Sequence, residues 1–455
     1  MTVLESMRST IVLAAVSGLV LAPVTCQAAS LVGRAVLPAD TFSVGPTSGQ
    51  FITAANGRVP PFARRQPVQG FSAVLKSDDG GYLALCDNGF GAKANSADFR
   101  LSVYRLTPDF ATRSRGTGTV GATLQFNLRD PDRKVSFPIV ADGDTYPGSA
   151  IPVDPAILAG RLLTGADFDI ESFRQVSDGS FWFGDEFGPF LIHTDRTGRV
   201  LEAPIPLPGV RSPDNPLPGP AANLPRSKGF EGMALSPDGR FLYPLLEGPL
   251  TTEADQRRLI INEFDTHRRA YTGRRWFYRL EASSATGQSI GDMTAVNKSE
   301  LLVIERDNFE GAAAQFKKIF LVDLTKVDRD GFLVKREVAD LMNLADPDDI
   351  ARTGTGVFTF PFTTIESVIP IDAQTLGVLN DNNYPFSAGR RPGQPDDNEF
   401  ILIRLDGPLQ VDSHVAPETA DEWTTNGVKT ITAGPGLVGR DDGGIVALER
   451  EERTP

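Results

Sequence analysis

Six acidic side chains fall within residues 167–186 of the chain. The sequence reads Asp-Phe-Asp-Ile-Glu-Ser from residue 167 and Phe-Trp-Phe-Gly-Asp-Glu-Phe-Gly-Pro from residue 181. The chain has 3 histidines and 2 cysteines in 455 residues, so carboxylate oxygens are its most abundant candidate ligands. Carboxylates that are grouped without histidine or cysteine favour Ca²⁺ or Mg²⁺ over zinc or copper. This stretch therefore indicates a site for a hard divalent cation.

The residues around these carboxylates predict short β-strands. Alternating polar and apolar residues flank the turn Asp178-Gly179, which is typical of a β-hairpin. The pattern recurs at Glu231, Asp292 and Glu366, with a weaker copy in residues 70–87. A repeat of roughly sixty residues indicates a propeller or a solenoid. Because each copy holds two or three short strands, we predict an all-β fold, a single β-propeller of about six blades, within a range of five to seven.

Equivalent positions of successive blades lie at the same radius and height in a propeller. The acids that open the first strand of each copy should therefore form one ring near the axis: Glu171, Glu231, Asp292 and Glu366. The acids that close the second strand should form a second tier: Asp87, Asp185, Glu186, Glu247, Glu305 and Asp381. We predict that one end of the channel binds Ca²⁺, with Mg²⁺ as the alternative, through Asp87, Glu171, Asp185, Glu186, Glu231, Glu305, Glu366 and Asp381.

The chain shows no linker that would divide residues 29–455, so we expect one domain. Propellers commonly close by pairing strands from the two ends of the chain, and residues 30–36 and 444–448 are apolar segments suited to this pairing. The interval 101–165 is longer than one repeat. We therefore expect it to contain a degenerate blade formed by residues 123–128 and 134–140.

The N-terminus has the features of a secretory signal peptide. Arg8 precedes an apolar run at residues 11–22, and Cys26-Gln27-Ala28 provides a site with small residues for cleavage before Ala29. The run is too short to span a bilayer, so we expect no transmembrane segment. The sequence thus predicts removal of residues 1–28 and export to the periplasm or the medium.

The charge of the chain limits its partners. The formal net charge is −13 and the isoelectric point is about 4.9. Nucleic-acid binding requires a basic face, so we expect no nucleic-acid partner. Divalent cations and a small substrate are the expected partners of what we predict to be a monomer.

Several long motifs resemble the phytase-like family, the group described as having esterase-like activity of phytase. The motifs occur in order between about residues 65 and 407: Asp87-Asn88-Gly89-Phe90-Gly91, the segment 167–193, Lys228-Gly229-Phe230-Glu231-Gly232, Glu305-Arg306-Asp307-Asn308 and the segment 380–387. The resemblance implies a calcium-dependent phosphoesterase that acts on a small phosphorylated substrate.

A cation can bind phosphoryl oxygens and lower the pKa of an attacking water. The candidate catalytic residues are Glu171, Asp185, Glu186, Glu231 and His193. Four basic residues adjoin the acidic motifs, and we expect them to bind further phosphate oxygens: Lys93, Lys228, Arg306 and Arg390.

Other interpretations remain open. His193 is either a general acid or a hydrogen-bonded structural histidine of a strand. Calcium-dependent lactonases also gather acids and asparagines around an axial metal, and Asn88, Asn308, Asn380 and Asn382 would suit that chemistry. A third interpretation is that the metals are structural and that the propeller binds a partner in the cell envelope.

Overall fold

The computed structural model describes residues 29–416 except Asp78. The predicted signal peptide and the segment 444–448 lie outside the described residues. Three strands precede the first blade: β1 (Ser30–Leu37), β2 (Phe42–Val44) and β3 (Arg65–Pro67). The first blade then comprises β4 (Phe71–Lys76), β5 (Tyr82–Cys86), β6 (Ser102–Asp109) and β7 (Thr119–Asn127).

The next three blades are four-stranded sheets formed by strands consecutive in sequence. Blade 2 comprises β8 (Ile170–Gln175), β9 (Phe181–Asp185), β10 (Phe190–Thr194) and β11 (Ile205–Pro206). Blade 3 comprises β12 (Phe230–Leu235), β13 (Phe241–Leu246), β14 (Arg258–Asp265) and β15 (Ala270–Arg279). Blade 4 comprises β16 (Gln288–Ala295), β17 (Glu300–Asp307), β18 (Lys317–Val327) and β19 (Leu333–Asp340).

Strands from both ends of the described chain complete the fifth blade. A short hairpin of β20 (Leu344–Ala345) and β21 (Val357–Phe358) precedes β22 (Thr364–Pro370), β23 (Thr375–Asp381) and β24 (Asn398–Arg404). The N-terminal strand β1 pairs antiparallel with β24 and forms the outer strand of this blade. Closure of the propeller therefore uses the predicted segment 30–36, and its partner in the structure is β24.

The innermost strands β4, β8, β12, β16 and β22 contact one another in turn, and β22 contacts β4. The described residues thus form a closed propeller of five blades, which confirms the all-β propeller prediction at the lower end of its range. The four acids of the predicted ring lie within the innermost strands of blades 2 to 5: Glu171, Glu231, Asp292 and Glu366.

The predicted degenerate blade in residues 123–140 is absent from the described structure. Residues 123–127 belong to β7, the outer strand of blade 1, and residues 134–140 contain no strand. The chain here makes an excursion that carries a 3-10 turn (Val140–Asp142) and the helix α1 (Pro155–Gly160). The apolar residues of the predicted second strand, Val135, Phe137 and Ile139, pack into the core between blades 1 and 2, and the excursion adds a small core of its own around Tyr146.

Apolar side chains fill the interfaces between neighbouring blades. Blades 2 and 3 meet through Trp182, Leu191 and Met233, and blades 4 and 5 through residues such as Ile304 and Ile365. Similar clusters join the other pairs of blades. Burial of this surface holds the innermost strands at fixed positions around the axis. Among the described residues, no helix has the length and apolar character needed to cross a bilayer.

Candidate metal centre

A β-bulge interrupts the innermost strand of every blade at the same end of the channel. The register with the second strand shifts between Ile170 and Ser172 in β8, and at corresponding places in the other four blades. A bulge leaves its extra residue outside the strand ladder and redirects its side chain. The bulged residues of blades 1, 2, 3 and 5 are Ser72, Glu171, Glu231 and Glu366.

The second strand of each blade contributes the next tier. In each blade, the residue just before the bulge pairs with a residue of the second strand. The second tier consists of the residues that directly follow these partners in the sequence. In order of blades, these residues are Asp87, Glu186, Glu247, Arg306 and Asp381. Four of the five are acidic and all five are buried. Of the acids predicted for the second tier, Asp87, Glu186, Glu247 and Asp381 hold these positions, and Arg306 takes the place of an acid in blade 4.

Blade 4 departs from the pattern for a steric reason. Here the residue that directly follows the position before the bulge, Ile290, is Gly291, and Asp292 comes one position later. A Cβ at Gly291 would lie 2.2 Å from the carbonyl oxygen of Ile365, so no side chain fits at this position. Asp292 accordingly lies outside the ring to which the repeat assigned it. It pairs with Arg174 instead, with 2.9 Å between Oδ1 and Nη2.

Eight buried carboxylates form the group that we call the acidic cluster: Asp87, Asp169, Glu171, Glu186, Glu231, Glu247, Glu366 and Asp381. Two trios within it bring one oxygen from each member to within 4.8 Å of one another. The trios are Asp169–Glu171–Glu186 and Glu186–Glu231–Glu247. Oxygen ligands on opposite sides of a Ca²⁺ ion lie about 4.6–5.2 Å apart, so each trio has the dimensions of a calcium site.

Two basic side chains contact the acidic cluster. Nη2 of Arg306 lies 3.0 Å from an oxygen of Glu366, 3.4 Å from one of Glu231 and 3.7 Å from one of Glu247. Lys228 donates a hydrogen bond to Glu247 and keeps 31% of its side chain exposed. Eight carboxylates and two cations leave a large excess of buried negative charge if all are ionised.

This excess raises the pKa of most of the carboxylates. Burial, followed by the charges of neighbouring acids, raises the pKa of Glu171 and Glu186 well above the ordinary value. Burial also raises the pKa of Asp169 to about 6 and that of Asp381 to about 7. Glu247 is the exception: burial opposes its ionisation, yet Lys228 and Arg306 lower its pKa to about 2.

Asp169 is the residue of the site that the repeat did not identify. It precedes the strand β8 and therefore has no counterpart among the acids within the strands. Its Oδ1 atom is buried without a hydrogen-bond partner among the described residues. A buried carboxylate oxygen without a donor is costly unless a cation compensates it. The only sequence signal was its place in the motif Asp-Phe-Asp-Ile-Glu-Ser.

Two predicted ligands point elsewhere. Asp185 accepts hydrogen bonds from the backbone of Asp169 at 2.9 Å and of Gly188 at 2.6 Å, and burial raises its pKa to about 7. It holds the loop that carries Asp169. Glu305 faces the outer part of blade 4, where Lys335 lies 2.7 Å from its carboxylate.

The other predicted site residues also differ in their distance from the acidic cluster. Lys93 lies 5.4 Å from the ring centroid of Phe187, the residue that follows Glu186. Arg390 forms a two-pronged ion pair with Glu399 at 2.7 and 2.9 Å and has no contact with the acidic cluster. His193 lies on the third strand of blade 2, paired with Trp182, towards the end of the blade away from Asp185.

One pentapeptide, Gly287-Gln288-Ser289-Ile290-Gly291, matches the Gly-x-Ser-x-Gly pattern of serine hydrolases. In that pattern the serine occupies a sharp turn between a strand and a helix. Here Ser289 lies within the strand β16, and its hydroxyl donates a hydrogen bond to Glu247 at 2.6 Å. It therefore supports the acidic cluster and does not form a nucleophile elbow.

The chain belongs to the phytase-like family, which is described as having esterase-like activity of phytase and which matches residues 66–384. An uncharacterized secreted protein from Arthroderma benhamiae is 27% identical over 262 residues. That alignment covers 49% of each chain, so the chain spans about half the length of this relative.

Solved structures with similar shapes are also propeller proteins of low sequence identity. The calcium-binding protein regucalcin from Agrobacterium tumefaciens is 14% identical, with a TM-score of 0.34 and coverage of 85% of this chain and 99% of the other. A GH43 β1,3-galactosidase is 8% identical, with a TM-score of 0.39 and coverage of 78% and 59%. Scores this low carry no argument about activity.

Proposed function

We propose that the protein is an exported, calcium-dependent phosphoesterase that hydrolyses a small phosphorylated substrate at the acidic cluster. The observation that supports this proposal is the excess of buried carboxylates over basic side chains at one end of the channel. A divalent cation would offset this charge and allow the carboxylates to ionise together.

The two trios share Glu186. We propose that Glu186 belongs to two cation sites, which Asp169 and Glu171 would complete on one side and Glu231 and Glu247 on the other. Cations at these sites would neutralise the charge of a phosphoryl group and activate water for attack. The side chain of Asp169 provides the free oxygen that such a site requires.

The basic residues provide the substrate contacts in this proposal. Lys228 is partly exposed beside Glu247, so its ammonium group can bind a phosphate oxygen that enters from solvent. Arg306 is buried between three glutamates of blades 3 and 5, and their charges outweigh burial and raise its pKa further above its ordinary value. It remains a cation throughout the accessible pH range and fixes the positions of Glu231 and Glu366.

The activity test is a panel of substrates, comprising phosphomonoesters, phosphodiesters, phytate and lactones, each with Ca²⁺ or with a chelator. We expect hydrolysis of at least one phosphate ester that the chelator abolishes and that Glu231→Gln reduces by roughly 100-fold or more. Glu263→Gln is the matched control, because Glu263 is buried in the same blade but pairs with Arg274.

Each alternative outcome of this panel has a defined meaning. Turnover of lactones alone would replace phosphoesterase with lactonase chemistry at the same acids. Absence of turnover with every substrate, or turnover unaffected by both the chelator and Glu231→Gln, would contradict the proposal.

Export is tested separately by mass spectrometry of material from the periplasm or the medium. We expect a mature chain that begins at or near Ala29, in agreement with the predicted cleavage site. An intact N-terminus on protein confined to the cytoplasm would contradict this part of the proposal.

A further inference from the structure

A second group of reactive side chains lies in blade 2, away from the acidic cluster. The imidazole of His193 places Nδ1 2.7 Å from a carboxylate oxygen of Glu202 and Nε2 3.0 Å from the hydroxyl of Ser180. The three residues come from β10, the segment after it and the turn before β9. A serine, a histidine and an acid in this order have the connectivity of a hydrolase triad.

The surrounding structure fixes the imidazole ring. His193 stacks on Trp182 with 4.1 Å between ring centroids and 3° between the ring planes. Glu202 accepts a hydrogen bond from Nδ1–H, which leaves Nε2 to accept one from the hydroxyl of Ser180, whose other polar neighbour is the carboxylate of Asp178. Burial lowers the pKa of His193 despite the hydrogen bond and the charge of Glu202, so the ring is neutral and can act as a base at neutral pH.

These side chains open onto a cavity of about 180 Å³. Ser180 and His193 line it together with Ser177, His267 and Arg269. The volume suits a short acyl group rather than a drug-sized ligand, for which pockets exceed about 300 Å³. Arg269 also lies 3.5 Å from Glu202 and supplies a cation for a developing negative charge.

We propose that Ser180, His193 and Glu202 form a metal-independent site that hydrolyses small carboxylic esters. The Ser180 oxygen attacks the ester carbonyl while its proton moves to Nε2 of His193. Nε2 then returns this proton to the departing alkoxide, leaving an acyl group on Ser180. Water attacks this acyl group with His193 again as the base, and the carboxylic acid and the free Ser180 hydroxyl are released. Glu202 is a positioning residue that orients the ring.

Labelling with a fluorophosphonate, followed by peptide mass spectrometry, tests the nucleophile directly in the wild-type protein. We expect the label on Ser180, and we expect p-nitrophenyl acetate hydrolysis to fall by roughly 100-fold or more in Ser180→Ala. Ser177→Ala is the matched control, because Ser177 lines the same cavity without bonding to His193. A chelator should leave ester hydrolysis unchanged, which separates this site from the acidic cluster.

The pH profile distinguishes a positioning role of Glu202 from a purely structural one. The charged groups that act on His193 are Glu202, Arg269 and Asp178. Ester hydrolysis should rise as His193 loses its proton, and Glu202→Gln should move the midpoint of this rise to lower pH because the imidazolium loses its carboxylate partner. Label on another residue, or full ester hydrolysis in Ser180→Ala, would show that Ser180, His193 and Glu202 are only a structural link between strands.

Discussion

The channel contains two buried groups of charges that differ in balance. At the bulge of blade 4, Arg174 and Asp292 form a pair of one cation and one anion, and the backbone N–H of Met293 donates a further hydrogen bond to Asp292. Among the described residues, the basic side chains that contact the eight carboxylates of the acidic cluster are Arg306 and Lys228. The chain compensates the first group by itself, whereas the second keeps an excess of negative charge when its carboxylates are ionised. The comparison distinguishes a balanced ion pair from the unbalanced group at which we propose a metal site.

The largest expected effect comes from breaking the balanced pair. Arg174→Met leaves Asp292 buried without its partner, and we expect the free energy of unfolding to fall by about 3–5 kcal/mol. Urea denaturation measures this change. Arg274→Met is the control, because its ion pair with Glu263 is exposed on the arginine side and should cost less than about 1 kcal/mol. Ca²⁺ should not rescue Arg174→Met. Rescue by Ca²⁺ would show that the two groups of charges are not independent.

The next effect concerns pH in the chelated protein. The pKa values of Asp169 and Asp381, about 6 and about 7, are raised above those of the unfolded chain. Their contribution to stability is therefore complete below about pH 4 and is lost as the pH rises to 6 for Asp169 and to 7 for Asp381, at a cost of about 4 kcal/mol between pH 5 and pH 8. Thermal denaturation between pH 5 and pH 8 measures the loss. Addition of Ca²⁺ should remove it, and a flat profile in chelator would contradict the charge excess.

Removing the charge of one carboxylate should stabilise the chelated protein but weaken its binding of Ca²⁺. Glu171→Gln removes one of several repelling carboxylates, so the chelated protein should become more stable by about 1–2 kcal/mol. The same change removes a ligand, so affinity for Ca²⁺ should fall at least about tenfold. Thermal denaturation with and without Ca²⁺ gives both values. Loss of stability in both states would indicate that Glu171 acts like Asp292, as one half of a balanced pair.

The smallest effect is expected at the edge of the cluster. Lys228→Met removes a partly exposed cation beside Glu247, and in the proposed phosphoesterase it should raise KM roughly fivefold to tenfold with little change in kcat. Steady-state kinetics on the phosphate ester found in the panel provide the measurement. An unchanged KM would remove Lys228 from the substrate contacts.

The sequence predicted the repeating part of this structure well. The strands that begin near Phe71, Glu171, Glu231 and Glu366 all occupy the innermost position, because period and alternation depend only on local sequence. Trp182 lies in the core between blades 2 and 3. The excursion after residue 127 was misread as a blade because Val135, Phe137 and Ile139 alternate as in a strand, but they pack into the core between blades 1 and 2 without forming one.

The details of the site depended on features that the sequence does not show. In β16, Gly291 holds the position that an acid holds in β8, β12 and β22, and it lies against the carbonyl of Ile365, so Asp292 falls one position outside the ring. The direction of each second-strand acid also follows from register, so Glu186 enters the cluster while its neighbour Asp185 binds backbone groups. A shift of one residue reverses the direction of a side chain in a strand, and motif spacing alone cannot resolve it.

Calorimetric titration of the chelator-treated wild-type protein with Ca²⁺ at neutral pH tests the central claim most directly. The proposed arrangement predicts saturable binding of about two ions per chain, with release of protons because the raised pKa values fall as the ions bind. Glu186→Gln should weaken both binding events, since Glu186 is common to the two trios. Absence of saturable binding by the wild-type protein, or an isotherm that Glu186→Gln leaves unchanged, would contradict the claim that the acidic cluster is a metal centre.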